Sequence, residues 1–218
     1  SDLAFDTGPG NCLLDQVCQK NNLPFDEDGK LASSGKICQN LLNEMLKEKY
    51  FSKPSPKTTG LDLFNNKWLK SFKYKLNLND LLATLTELTA LTICNACDNH
   101  PLILCGGGAF NKFLVKRINQ LHSHDTFLSS NFNYQENHIE GILFAYLAAC
   151  RYRHKPVNAP CGKNLLLGSI YAPLEFIINA SKSTTQIIGN IPNTKPNEIL
   201  LNFILANPIF DKFIFKNG

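Results

Sequence analysis

Apolar residues recur along this chain at two spacings, and the alternation between them sets out its elements. Cys12, Leu13, Val17 and Cys18 form a short helical stripe that ends near Asn21-Asn22. After a turn at Phe25-Asp26-Glu27-Asp28-Gly29-Lys30, residues Ile37, Leu41, Leu42, Met45 and Leu46 repeat at three and four positions, the period of a helix with one buried side. Residues 51–60 contain Pro54 and Pro56, which fix φ and remove backbone donors, so an irregular connector is expected there. Asp80 can cap a helix running to about Cys97, with Leu81, Leu85, Leu88, Thr92 and Ala96 on one face. A strand over 101–105 then breaks into Gly106-Gly107-Gly108, followed by a helix from Asn111 to about Leu121 and a short strand over 126–129. Asn137 can cap a helix through Cys150 whose expected buried stripe is Ile139, Ile142, Leu143, Tyr146 and Leu147. Residues 165–170 read as a short apolar strand or turn, and residues 1–5 as the end of a strand. Helices and strands in alternation predict an α/β architecture with helices covering a sheet.

The last stretch reads differently. Asn190-Ile191-Pro192-Asn193-Thr194-Lys195-Pro196 is a loop, and 198–206 a short apolar helix stopped by Asn207-Pro208. At 218 residues the chain is long enough for one large domain or a domain with an appendage. Its 44% apolar and 18% charged residues are ordinary for a soluble globular protein, and the apolar runs fall short of membrane-spanning length. No basic-then-apolar leader opens the chain, which favours the cytoplasm. The net charge of +4 is scattered. Lys112, Lys116 and Arg117 form one loose cluster and Arg151, Arg153, His154 and Lys155 another, both read as solvated helix faces rather than a nucleic-acid stripe. Of the eight cysteines only Cys94-Asn95-Ala96-Cys97 has ligand-like spacing. It lacks a second pair to complete a four-ligand zinc site, so reduced structural cysteines are expected.

The candidate chemistry lies at two glycine turns. Asp6-Thr7-Gly8-Pro9-Gly10-Asn11 sets a carboxylate just before a stiff bend, and Cys105-Gly106-Gly107-Gly108 ends an apolar strand. A carboxylate can take a proton from a nucleophile, and turns without side chains let backbone approach a ligand closely. Each feature has a plainer reading. Asp6 can hold its own turn as an Asx-turn, the glycines can be a tight strand-to-helix turn, and Glu140 can simply favour a helix N-terminus.

Read together, these strings resemble the C-terminal part of the anhydro-N-acetylmuramic acid kinase family. The resemblance runs through Phe5-Asp6-Thr7-Gly8-Pro9-Gly10-Asn11, Tyr50-Phe51, Pro56-Lys57-Thr58-Thr59-Gly60, Phe64-Asn65 and Trp68-Leu69. It continues through Ala83-Thr84-Leu85-Thr86-Glu87-Leu88-Thr89-Ala90, Cys105-Gly106-Gly107-Gly108-Ala109, Ile139-Glu140-Gly141, Phe144-Ala145-Tyr146-Leu147-Ala148 and Leu167-Gly168-Ser169-Ile170-Tyr171. It covers about residues 3–171, with the Asp-Thr-Gly-Pro-Gly-Asn string the most specific part.

The resemblance implies the C-terminal lobe of an actin-like, ribonuclease H-like ATPase fold, incomplete at its N-terminus, over residues 1–172, with an unassigned extension over 173–218. It implies an ATP- and Mg2+-dependent kinase that opens the 1,6-anhydro ring of anhydro-N-acetylmuramic acid and phosphorylates its 6-oxygen in cell-wall recycling. Asp6 would then be the catalytic base; Gly8, Gly10, Asn11 and Glu140 would contact the sugar; Gly106, Gly107 and Gly108 would contact the adenosine part of ATP. The family's N-terminal phosphate loop has no match here, so turnover is expected only with a missing N-terminal lobe or a second subunit. An uncovered sheet face and edge would then favour self-association. A non-catalytic binding or assembly module derived from this fold is the alternative. Two departures stand out: Phe110 and Leu61 occupy positions where the family usually carries arginine. Neither side chain replaces a forked donor.

Overall fold

A computed structural model describes residues 5–97, 100–158 and 163–168. The expected strand end over 1–4, Cys161, residues 169–170 and the extension over 173–218 lie outside these. The chain divides into two units, Ser1–Ile139 and Glu140–Gly218.

The first unit is built around one helix, α5 (Leu78–Ala96). Asn77, not Asp80, caps it: the Asn77 side chain accepts from the Asp80 amide at 2.8 Å. Asp80 sits in the first turn, where its carboxylate accepts from the Asn77 side chain at 2.8 Å and from the Lys36 amide at 2.7 Å. One buried face was expected, yet every residue from 81 to 90 is buried. A helix buried all round must satisfy its polar side chains internally. The threonines do so by donating back along the helix: Thr84 to the Asp80 carbonyl (2.7 Å), Thr86 to that of Leu82 (2.8 Å) and Thr92 to that of Thr89 (3.0 Å). Thr89 is the exception and donates across to the Gly10 carbonyl at 2.8 Å.

Packed on α5 are α1 (Cys12–Lys20), α2 (Lys30–Ser34), α3 (Gln39–Met45) and α6 (Lys112–Leu121). Leu13, Leu14, Val17, Leu42, Met45, Phe64, Leu82, Leu85 and Leu88 form the main core. The connector after α3 is irregular, as its prolines imply, but it is held by an aromatic ladder. Phe64 is stacked on Phe51 (5.5 Å) and meets Tyr50 and Trp68 edge-on, and Trp68, in α4 (Asn66–Lys70), meets Phe72 at 4.8 Å.

β1 (Leu102–Leu104) and β2 (Thr126–Leu128) pair in parallel through a crossover containing α6, with Ile103 opposite Phe127. Their α/β pattern matches the sequence expectation at small scale. Leu102 and Leu104 pack with Ala90, Cys94, Leu114 and Ile118, so α5 and α6 cover one side; Ile103 and Phe127 are exposed on the other. Asn111, which follows Phe110, caps α6 by accepting from the Leu114 amide at 2.9 Å.

In the second unit, α7 (Ile139–Tyr152) buries Phe144, Leu147 and Cys150. Of the expected stripe only Leu147 is buried; Ile142, Leu143 and Tyr146 are exposed. A helix apolar on two sides offers periodicity no means of choosing between them. Asn137 lies in a single 3-10 turn before α7. β3 (Val157–Asn158) and β4 (Asn164–Leu165) form a two-residue antiparallel pair, which meets the expected 165–170 segment at Leu165 alone among the described residues. No described helix is long and apolar enough to cross a membrane.

Candidate active site

Asp6 precedes the first glycine turn, and its carboxylate does not hold that turn. Its Oδ2 instead accepts from the Thr58 hydroxyl at 2.8 Å and from the Thr59 amide at 2.9 Å, across more than fifty residues of chain. The backbone is fixed on both sides: the Asp6 amide donates to the Lys57 carbonyl at 3.0 Å, and the Tyr50 hydroxyl donates to the Asp6 carbonyl at 2.6 Å. Burial, followed by the nearby Asp6 charge, pushes the Tyr50 phenol above its ordinary value, so it remains a donor at neutral pH. Among the described residues, Oδ1 of Asp6 has no hydrogen-bond partner.

The connector carrying Thr58 and Thr59 is tied down in turn. Lys57 Nζ donates to the Tyr50 carbonyl at 3.2 Å and the Phe51 carbonyl at 3.1 Å, and it lies 4.9 Å from the Tyr50 ring centroid. The cation–π contact and the aromatic ladder beneath it thus set the height at which Thr58 and Thr59 meet Asp6.

The two glycine turns belong to the same unit and meet through Asn11. Asn11 occupies the N-cap position of α1, yet its side chain makes no capping bond. Its Nδ2 lies 3.8 Å from where a Cβ on Gly108 would sit. Gly8 is glycine for packing: a Cβ there would come 2.7 Å from Thr92 Oγ1 and 3.3 Å from the Phe51 ring. Gly10 has φ of +54° and open space around its missing Cβ. Gly106 stands at φ +75°, ψ −175°, a region open in practice only to glycine. Its amide donates to the Glu136 carbonyl at 2.9 Å, and Gly107 faces open space. The glycine segment is therefore a strand-to-helix turn, as its plainer reading has it, and also one with backbone open to approach.

Two solvent-shielded oxygens in this region, Asn11 Oδ1 and Thr59 Oγ1, have no hydrogen-bond partner. Orphaned polar atoms cost free energy unless a ligand or water meets them, so both fit a site that binds a polar molecule. Glu140 is exposed in the first turn of α7 and belongs to the second unit. Thr58 and Thr59 have no role legible from the sequence alone; their one signal there is two adjacent hydroxyls ahead of Gly60 in the connector.

For metals, no group of three or more His, Cys, Asp or Glu among the described residues could hold an ion. Cys94 packs in the α5–α6 core with its thiol toward the Ile118 carbonyl, and burial pushes both the Cys94 and Cys97 thiols up. Neutral thiols are poor metal ligands and poor nucleophiles.

Comparison with known proteins gives the family. A family profile described as anhydro-N-acetylmuramic acid kinase matches residues 1–173. An anhydro-N-acetylmuramic acid kinase of Hydrogenovibrio crunogenus is 38% identical over 184 residues, covering 78% of this chain and 50% of that protein. One of Saccharophagus degradans is 38% identical over 183 residues (78% and 49%), and one of Coxiella burnetii 39% over 189 residues (78% and 50%). The chain thus spans about half the length of the curated relatives it matches. On the profile and on this identity, it belongs to the anhydro-N-acetylmuramic acid kinase family.

Proposed function

We propose that this chain supplies part of the active site of a kinase that hydrolyses the 1,6-anhydro bond of anhydro-N-acetylmuramic acid and phosphorylates the freed 6-oxygen. The observation that carries the reading is the Asp6 carboxylate, held through one oxygen by Thr58 and Thr59, beside a glycine turn that touches the triple-glycine segment through Asn11. In this reading Asp6 Oδ1 takes the proton of a water as its oxygen bonds to the anomeric carbon. The C1–O6 bond breaks, and O6 becomes the nucleophile toward phosphorus. Bound ATP supplies the phosphoryl group. A positioned general base contributes roughly 10²- to 10⁴-fold, and most of the remaining task is alignment.

Gly106, Gly107 and Gly108 are the residues that would hold the nucleotide, since the open space at Gly107 admits a flat ring or ribose against bare backbone. Gly10, Asn11 and Thr59 present backbone and orphaned oxygens suited to sugar hydroxyls. Gly8 belongs to the same turn but shapes it by packing. Glu140 is proposed as a further sugar contact. Mg2+ would enter with the triphosphate, as the described residues offer no cluster of their own for it. The lobe would be the C-terminal one of an actin-like fold over residues 1–172, and the site would be completed by a second lobe, in the same polypeptide or another. A soluble cytoplasmic setting suits these substrates.

Cys105, exposed beside Gly106, permits a test on this chain alone. Relative to nucleotide-free buffer, bound Mg-ATP should slow alkylation of Cys105 at least fivefold, while the sugar alone leaves it unchanged. Identical alkylation rates with and without saturating ATP would sink the nucleotide assignment.

A further inference from the structure

We propose that Thr58 and Thr59 are positioning residues for Asp6, forming a clamp that fixes one carboxylate oxygen so that the other is presented as the proton acceptor. The proposal rests on the reading of Asp6 as that acceptor. A free aspartate side chain passes among three staggered χ1 rotamers, and its carboxylate has two equivalent oxygens and a broad, nearly two-fold torsion about its terminal bond. Left free, it would divide its time among orientations of which few face an attacking water. Here Oδ2 receives two donors of different kinds, the Thr58 hydroxyl at 2.8 Å and the Thr59 amide at 2.9 Å. Two donors on one oxygen remove the rotational freedom that a single donor would leave. Hydrogen bonds to an ionised acceptor are stronger than neutral ones. Oδ1 is left without a partner among the described residues.

The clamp would be of little use on a loose connector, and this connector is braced. Lys57 is bonded to the Tyr50 and Phe51 carbonyls and lies over the Tyr50 ring; Tyr50 returns a hydrogen bond to the Asp6 carbonyl; the Asp6 amide closes onto the Lys57 carbonyl. Base and clamp are therefore members of one closed hydrogen-bonded ring seated on the Phe51–Phe64 stack. Thr58 is exposed and Thr59 half-buried, so the amide is the more shielded donor and the hydroxyl the more easily tested. Removing the Thr58 hydroxyl leaves the Thr59 bond in place and loosens both χ1 and the terminal torsion.

The test uses Thr58→Val and Thr58→Ser in the 218-residue chain, with two readouts. The first is the Asp6 Hα–Hβ couplings by NMR, which report side-chain orientation without any turnover. Wild type and Thr58→Ser should show one fixed rotamer and Thr58→Val averaged couplings. Unchanged couplings in Thr58→Val overturn the clamp. The second is turnover after mixing with the part of the Hydrogenovibrio relative that this chain does not cover. Thr58→Val should lose about 10- to 100-fold in kcat with KM within about twofold, and Thr58→Ser should recover to within about threefold. A loss confined to KM, or no rescue by serine, also overturns it. Asp6→Asn is run beside them. If it turns over as fast as wild type, the proton-acceptor reading has failed, and the couplings still decide the clamp.

Discussion

The ion pair between Glu87 and Arg117 ties α5, whose Thr89 bonds the Gly10 carbonyl, to α6, which follows the Gly106 turn, and its removal has a predictable size. Glu87 lies in the middle of α5, its side chain 7% exposed; Arg117 lies in α6, 22% exposed. The guanidinium grips the carboxylate with both arms, Nε to Oε2 at 2.5 Å and Nη2 to Oε1 at 2.7 Å, and it also reaches Gln120. At an effective dielectric constant near 20, opposite charges about 4 Å apart attract by about 4 kcal/mol. Breaking a buried pair by removing one partner costs roughly 3–5 kcal/mol, because the survivor is left charged and unpaired. The survivor's surroundings then decide the order. Without Glu87, Arg117 can turn to water and Gln120, so Glu87→Gln should cost about 2 kcal/mol, below that range. Without Arg117, the more deeply buried Glu87 has no such exit, so Arg117→Met should cost about 3–4 kcal/mol. Urea unfolding followed by Trp68, the chain's single tryptophan and part of this unit's core, reads both. With a slope of about 2 kcal/mol per molar urea, the midpoints should fall by about 1 M and about 1.5–2 M. Costs within about 0.5 kcal/mol for both variants, or the reverse order, would mean that the pair does not hold these helices.

Glycines at two positions separate folding from binding. Gly35→Ala would drive a Cβ into the Asn79 backbone carbonyl and should destabilise by about 1–3 kcal/mol in the same urea assay. Gly107→Ala meets only open space, so its urea midpoint should match wild type while Mg-ATP affinity by calorimetry falls at least tenfold; unchanged affinity would count against the triple-glycine assignment. Cys18 supplies a pH signature: burial, then the charges of Asp26 and Asp15, push its thiol from 9.0 to about 11. The unfolded thiol ionises first as pH rises, so stability is full below pH 9 and declines between about 9 and 11, by on the order of 2 kcal/mol. Cys18→Ala should flatten that decline relative to wild type in urea titrations across this range, and an equal decline in both proteins would contradict it.

Much of this was legible in the sequence where a periodic stripe met a local stop. The stripe Cys12, Leu13, Val17 and Cys18 became α1, the 37–46 repeat contains α3, and the strand–glycine–helix order became β1, the Gly106 turn and α6. Periodicity fell short where burial was not one-sided. It gave α5 one face because its threonines count as polar, and their back-bonding to preceding carbonyls is what lets them lie inside. It also took Asp80 for the cap, although Asn77 and Asp80 are both good capping residues and only the start of the helix distinguishes them. At the site, Asp6 and the glycines stood out as residue types, but the Thr58–Thr59 contact with Asp6 did not. It joins positions far apart in the chain through a connector without periodicity, held by the Lys57 and Tyr50 hydrogen bonds and the aromatic ladder beneath them.

In the proposed function Asp6 accepts the proton that lets the anhydro bond open. Its most direct test is single-turnover phosphorylation of anhydro-N-acetylmuramic acid by Asp6→Asn and by wild type, each combined with the uncovered part of the Hydrogenovibrio relative, with sugar binding measured in parallel. Asp6→Asn should bind the sugar within about threefold of wild type and phosphorylate it at least about 10²-fold more slowly. Phosphorylation at the wild-type rate by Asp6→Asn, with wild type itself active, would contradict it.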